Sequence, residues 1–202
     1  MKKIIFFISV FMVMSMCAFT KPENVKEADM ADVKKIILVI ANEGFRDEEY
    51  LEPKRILEGK GIKVVTAAKF KQNAHGKLGA VVNIDEVLDN IKMADYDGIF
   101  FIGGPGCKIY WNDQKAHALL NEAVNQGKVI GSICSGGATL AYAGVLEGKN
   151  ANSFKSEQHI LREHGANVLE NPVVVDGKIV TASGPAAAKE FGKKILKMII
   201  ME

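Results

Sequence analysis

Four apolar runs, KIILVIA (35–41), IKVVTA (62–67), GIFFI (98–102) and VIGSI (129–133), recur along the chain with segments of helical character between them. Runs this short and this uniformly apolar suit strands covered on both faces, because a strand with one wet face would alternate apolar and polar residues. Strands of that kind joined through helices run parallel, with right-handed crossovers. The expectation is an α/β fold, a three-layer sandwich around a mostly parallel sheet. Helices are expected at 47–60, at 85–94, from a cap at Asn112 to 126, at 154–164, and from Pro185 onward. In the first of these, Asp47, Glu48 and Glu49 bring negative charge to the positive end of the helix dipole. The segment 42–46 reads as a loop, and AHGKLGA (74–80) as a turn into a short strand at 81–84. Extended chain at 168–170 and 173–175 precedes Asp176-Gly177, a hairpin turn into 178–182 that adds an antiparallel strand at one edge.

In an open sheet of this kind, ligand sites form beyond the carboxyl ends of the strands. ANEGFR (41–46), GGPGCK (103–108) and CSGG (134–137) all follow such ends. The last belongs to VIGSICSGGATLAYAG (129–144), where an apolar strand runs into a lone cysteine, a serine and two glycines. Small, helix-compatible residues follow up to Gly144, a good left-handed helix stop. Cys134 therefore sits at a strand-to-helix turn with small residues two before and two after it, Ser132 and Gly136. Such sheets hold a nucleophile in that layout. The stretch equally fits a small buried hydrophobe, the common state of a free cysteine.

The first twenty residues, MKKIIFFISVFMVMSMCAFT, pair Lys2 and Lys3 with an apolar run at 4–16 that is short for a bilayer span. They read as a secretory signal peptide over 1–20, with an uncleaved N-terminal anchor as the other reading. A lipid anchor on Cys17 is weakly supported, because Met16 is a poor match for the small residue expected before it. The polar stretch 21–34 reads as a linker and 35–202 as one domain of about 170 residues, long enough for a substantial core. Export would place the mature chain in a periplasmic or extracellular setting. Removing 1–20 deletes Lys2 and Lys3 and no acid, so the formal charge falls from +2 to zero. A neutral chain with few clustered cations offers nothing to nucleic acid. Cys107 and Cys134 would then be the only cysteines, and an oxidising compartment pairs two cysteines by default if their geometry allows it.

Each of the three loops offers a part of a site. Cys134 offers a thiolate, favoured by the positive end of the helix after it. The backbone N–H groups of Gly104 and Ser135 offer an oxyanion hole, since glycine lets backbone approach a ligand closely. Glu43 offers a carboxylate to move a proton or to hydrogen-bond the sulfur. Arg46, if it points inward, lowers the thiol pKa and clamps a carboxylate or phosphate; otherwise it is a surface arginine paired with Asp47 or Glu49. Cys107 is either a buried filler or a resolving thiol that traps an oxidised Cys134. His75, His117, His159 and His164 are scattered. His159 and His164, five apart, do not share a helix face, so no metal site is expected. Tyr110 and Trp111 are expected to cover the core or a dimer surface. GGPG lacks the lysine and spacing of a phosphate loop and is not GxGxxG, so no nucleotide or other cofactor is implied.

Taken together, IILVIANEGFRDEE, GIFFIGGPG, VIGSICSGGATLAYAGVL and VVVDGKIVTASGP resemble the ThiJ/PfpI family over nearly the whole mature chain. The resemblance implies a flavodoxin-like fold of the class I glutamine amidotransferase type and a homodimer or larger assembly. It also implies a reactive cysteine at Cys134, with Gly104 and Ser135 as backbone donors. The chain departs from the family pattern in three places. Many members carry a carboxylate just after the aromatic or Met residue of the first loop, whereas Phe45 is followed by Arg46, and one extra residue lies between ANE and FRDEE. Either Glu43 takes over as the acid or the acid is missing. Ser135 stands where protease-like members have histidine, and Ser153 falls near the place where some members carry one, so no Cys–His dyad is visible. The expected function is a cysteine-dependent, cofactor-free enzyme acting on small reactive carbonyls, glyoxalase- or deglycase-like. The alternative is a redox-sensing or stress-protective protein without catalysis, working through oxidation of Cys134. An amidase or peptidase is disfavoured for want of a histidine base.

Overall fold

In the run 35–41 every side chain from Ile36 onward is buried, and the two faces of the strand take alternate residues. Ile37 and Val39 enter one apolar core while Ile36, Leu38 and Ile40 enter another. Two cores, one on each face of the sheet, explain why the run shows no polar alternation. The computed structural model describes residues 33–201. The signal peptide and all but the last two residues of the linker expected from the sequence lie outside that range.

In chain order the described elements are β1 (Lys35–Val39), β2 (Glu43–Phe45), α1 (Asp47–Glu58), β3 (Lys63–Ala68), β4 (Ala74–Gly76), β5 (Val81–Val82) and β6 (Glu86–Val87). Then come β7 (Gly98–Phe101), α2 (Gln114–Asn125), β8 (Val129–Ile133), α3 (Gly137–Tyr142), β9 (Asn150–Ala151) and α4 (Gln158–Glu163). β10 (Asn167–Val168), β11 (Val173–Asp176), β12 (Ile179–Ala182) and α5 (Ala188–Ile200) complete the fold. Seven strands form the main sheet in the order β11-β12-β8-β7-β1-β3-β6. All its pairings are parallel except the β11–β12 hairpin at one edge. Leu119 and Leu120 of α2, Leu140 of α3 and Leu161 of α4 fill the core on one face. Tyr50 and Leu57 of α1 fill the other together with Phe191, Ile195 and Ile199 of α5. The result is the three-layer α/β sandwich with a mostly parallel sheet.

Several local expectations are corrected. Residues 85–94 do not form a helix: after the edge strand β6 there are single 3-10 turns at Leu88–Asn90 and Met93–Asp95. Asp85 is held in extended register, its N–H donating to the Thr66 carbonyl (2.9 Å) and its carboxylate accepting from the Thr66 N–H (2.8 Å). Too little chain is left before β7 for regular turns. The loop 42–46 contains β2, which pairs in parallel with β4. The cap of α2 is Asp113, which accepts from the Ala116 N–H at 2.9 Å, and not Asn112. The segment from Phe154 starts as a 3-10 turn, Lys155–Glu157, before α4.

The glycines of GGPG seat the loop after β7 against β2. A Cβ on Gly106 would lie 1.7 Å from the Glu43 carbonyl oxygen and 2.9 Å from the Ala41 Cβ. Gly106→Ala must therefore lift that loop off β2. It is expected to cost roughly 3 kcal/mol, the upper end of overpacking penalties, read as a lower midpoint in urea or thermal unfolding.

Candidate active site

Strand β8 leads directly into Cys134, whose φ of +58° makes it the one non-glycine residue at positive φ among those described. A left-handed conformation costs a residue with a Cβ about 1–2 kcal/mol, so the surroundings must hold it in place. The residues after the cysteine show how. A Cβ on Gly136 would lie 2.5 Å from the Phe101 carbonyl oxygen at the end of β7, and one on Gly137 would lie 2.7 Å from the Ser153 Cβ. Two glycines follow Ser135 because the turn presses against two neighbouring segments that leave no room for side chains there.

The thiol is 7% exposed, and its Sγ stands 3.7 Å from the Ser135 Oγ. On its other side is Glu49, from the first turn of α1, with no exposed surface. A Cβ built on Gly103 would fall 2.6 Å from the Cys134 Cβ and 2.7 Å from Glu49 Oε2. Cysteine and carboxylate thus close over a glycine that has no side chain to separate them. Glu49 Oε2 accepts a hydrogen bond from the Gly103 N–H at 3.2 Å, while Oε1 has no partner among the described residues.

Burial pushes the Glu49 carboxyl up to about 7, offset only in part by the thiol and the Gly103 N–H. Burial likewise pushes the Cys134 thiol up to about 12, with the Glu49 charge adding to it and Ser135 drawing it back. The two titrate as a pair. The pair holds two protons below about pH 7 and shares one above it. In the shared state the arrangement can pass the thiol proton to the Glu49 carboxylate, whose pKa lies near neutral pH.

The structure brings some sequence candidates together and separates others. Arg46, Gly104, Cys134 and Ser135 line one cavity of about 260 Å³, together with Glu49 and Glu157. Glu43 is not among them. It lies on β2 with its side chain 71% exposed and its carboxylate 3.0 Å from His75 Nδ1. The acid beside the thiol is Glu49 instead, because the pairing of β2 with β4 carries Glu43 toward His75. Arg46 forms a forked ion pair with Glu48, Nε to Oε2 at 2.8 Å and Nη2 to Oε1 at 3.1 Å, rather than with Asp47 or Glu49. It still adds positive potential near Glu49 and Cys134. Gly104 adopts φ +102°, and a Cβ there would lie 2.5 Å from the Arg46 nitrogen. The Ser135 carbonyl accepts the indole N–H of Trp111 at 3.1 Å, which braces the turn. Tyr110 is buried, its hydroxyl donating to the Ile40 carbonyl at 2.8 Å.

Cys107 is 1% exposed, and both it and Cys134 are free thiols. Burial pushes the Cys107 thiol well above the ordinary cysteine range. Three histidines are held by backbone carbonyls, His117 by Trp111, His159 by Ser156 and His164 by Ile160. None of the four lines the cavity. Among the described residues no group of three or more His, Cys, Asp or Glu is placed to hold a metal ion.

Glu49 and Glu157 are the two acids of the cavity, and sequence reasoning assigned neither to the site. For Glu49 a signal existed. It shares the buried face of α1 with Pro53 and Leu57, at i+4 and i+8, and a carboxylate on an apolar stripe calls for a reason beyond the helix dipole. For Glu157 no comparable pattern is present.

A family model described as the DJ-1/PfpI family matches residues 34–198. The uncharacterized protein MJ0967 of Methanocaldococcus jannaschii is 37% identical over 198 residues, covering 95% of this chain and 94% of that protein. Deglycase TK1284 of Thermococcus kodakarensis is 28% identical over 163 residues, 81% of this chain and 98% of the relative. Among solved structures, the ThiJ/PfpI domain protein from Brachyspira murdochii superposes with a TM-score of 0.82 at 33% identity, covering 83% of this chain and 97% of the other.

Proposed function

The chain belongs to the DJ-1/PfpI family, and on that premise we propose that it is a cysteine-dependent, cofactor-free enzyme acting on small reactive carbonyls, in the manner of a glyoxalase or deglycase. The observation that carries the reading is the closure of Cys134 and Glu49 over Gly103, which sets a nucleophile and a base of matched pKa side by side in a cavity of about 260 Å³. A space of that size suits a substrate of a few heavy atoms. The name of the deglycase relative agrees with that substrate class.

With a 2-oxoaldehyde such as methylglyoxal, Cys134 adds to the aldehyde carbon as Glu49 takes the thiol proton. The oxygen that gains charge is received by the backbone N–H groups of Gly104 and Ser135 and is then protonated. Glu49, again a carboxylate, removes the hydrogen of that carbon and returns it to the neighbouring carbon, while the hydroxyl proton passes from the first oxygen to the second. The first carbon is thereby oxidised to a thioester and the second reduced to an alcohol, with no external oxidant. Hydrolysis of the thioester releases a 2-hydroxy acid and restores the thiol. The test is incubation of the purified protein with methylglyoxal, without thiol cofactor or added metal, and assay of lactate. Sustained formation of lactate is expected. Absence of turnover between about pH 6 and 9 would sink the reading.

A further inference from the structure

The last step of that sequence needs an acceptor for a proton of the attacking water, and the cavity holds a second carboxylate. Glu157 sits in the 3-10 turn before α4, only 8% exposed, and its Oε2 is sealed from solvent with no hydrogen-bond partner among the described residues. A buried oxygen left that way costs about 1–3 kcal/mol unless a water or ligand satisfies it. Asp47 is satisfied, accepting from the Leu78 and Ala80 N–H groups, both at 2.8 Å, whereas the two acids that line the cavity each keep one unpartnered oxygen, Glu157 Oε2 and Glu49 Oε1. The turn is fixed in place by the Glu157 N–H donating to the Phe154 carbonyl at 2.9 Å. Next to it, Gln158 donates to Asn152 Oδ1, also at 2.9 Å.

We propose that Glu157 is a second catalytic carboxylate, the base that accepts the proton of the water attacking the Cys134 thioester. The inference rests on the carbonyl-enzyme reading above. The other cavity side chains that ionise are the cations Arg46, Lys77 and Lys108, besides Glu49 and the cysteine itself, and no histidine is present. Exposure divides the labour between the two acids. Glu49 has no exposed surface and suits transfer between sulfur and carbon away from solvent, whereas Glu157, 8% exposed as a residue, is the acid nearer the solvent from which the water comes. In the step itself the water oxygen bonds to the thioester carbon, one water proton goes to Glu157, and the carbonyl becomes an oxyanion. The oxyanion collapses, the carbon–sulfur bond breaks, and the departing sulfur receives the proton that Glu157 took. The other water proton stays with the carboxylic acid product.

The experiment follows methylglyoxal turnover and the mass of Cys134 after rapid quenching, in the wild type, Glu157→Gln and Glu157→Asp. Glu157→Gln is expected to lower steady-state turnover by about 10²-fold, the usual size of a lost general base. Cys134 should then carry the mass of one methylglyoxal as an adduct that hydroxylamine removes, as it does a thioester. Glu157→Asp, which keeps a carboxylate, should shed the adduct faster than Glu157→Gln. Turnover of Glu157→Gln within about twofold of wild type, loss of turnover without the adduct, or equal accumulation in both variants would each overturn the assignment of Glu157 while leaving Cys134 as nucleophile. A wild type that neither turns over nor acquires the adduct would instead remove the carbonyl reading, and this step with it.

Discussion

Replacing Cys134 with alanine is expected to lower carbonyl turnover by about 10³-fold or more, since no other thiol lines the cavity to form the thioester. Glu43→Gln serves as the matched control. That carboxylate faces His75 at the surface and is expected to leave turnover within about twofold of wild type. The same position also reports on backbone strain. Alanine keeps the Cβ that conflicts with φ +58°, whereas glycine does not. Cys134→Gly is therefore expected to unfold later than Cys134→Ala, by about 1 kcal/mol. Equal stability of the two would mean that the turn is not held under strain.

Glu49→Gln should separate stability from activity, moving them in opposite directions. The folded carboxyl lies near 7 against an ordinary value of 4.5, so burying it costs nothing in charge at low pH, where it is protonated in both states. As pH rises from about 4.5 to about 7 the unfolded chain ionises first, and the native state loses stability relative to it. At about 1.4 kcal/mol per unit of pKa difference, the loss reaches about 3 kcal/mol above neutral pH. Glutamine carries no such penalty. The variant is expected to be more stable than wild type at about pH 8 and no more stable at about pH 4, measured by urea unfolding at both. Its turnover should fall by roughly 10²–10⁴-fold, the range for a lost acid–base group. Wild-type turnover should rise with pH through about 7 as Glu49 becomes able to accept the thiol proton.

Much of the architecture was legible because it depends on local pattern. The apolar runs became β1, β3, β7 and β8, and Asp176-Gly177 turns between β11 and β12 as expected. Cys134 could be placed at a strand-to-helix turn because strand, small residues and helix follow one another in the sequence. What escaped depends on contacts between distant segments. Asp47, Glu48 and Glu49 look alike as acids in a first helical turn, yet each does something different. Asp47 binds the backbone at Leu78 and Ala80, Glu48 pairs with Arg46, and Glu49 turns inward to the thiol. Glu43 follows β1 as a site residue would, but it is drawn aside by pairing with a strand thirty-two residues away. The segment at 85–94 has the composition of a helix, but two hydrogen bonds between Asp85 and Thr66 hold its start in the sheet.

The central claim is that Cys134 and Glu49 share a proton and act as one nucleophile–base pair. It is tested most directly by the rate of Cys134 alkylation as a function of pH, followed by mass spectrometry with buried Cys107 as internal reference. The account predicts that Cys134 labelling rises with a midpoint near 7, that Glu49→Gln removes this midpoint, and that Cys107 stays unlabelled throughout. Cys134 that remains inert up to about pH 9, or labels with the same profile after Glu49→Gln, would contradict it.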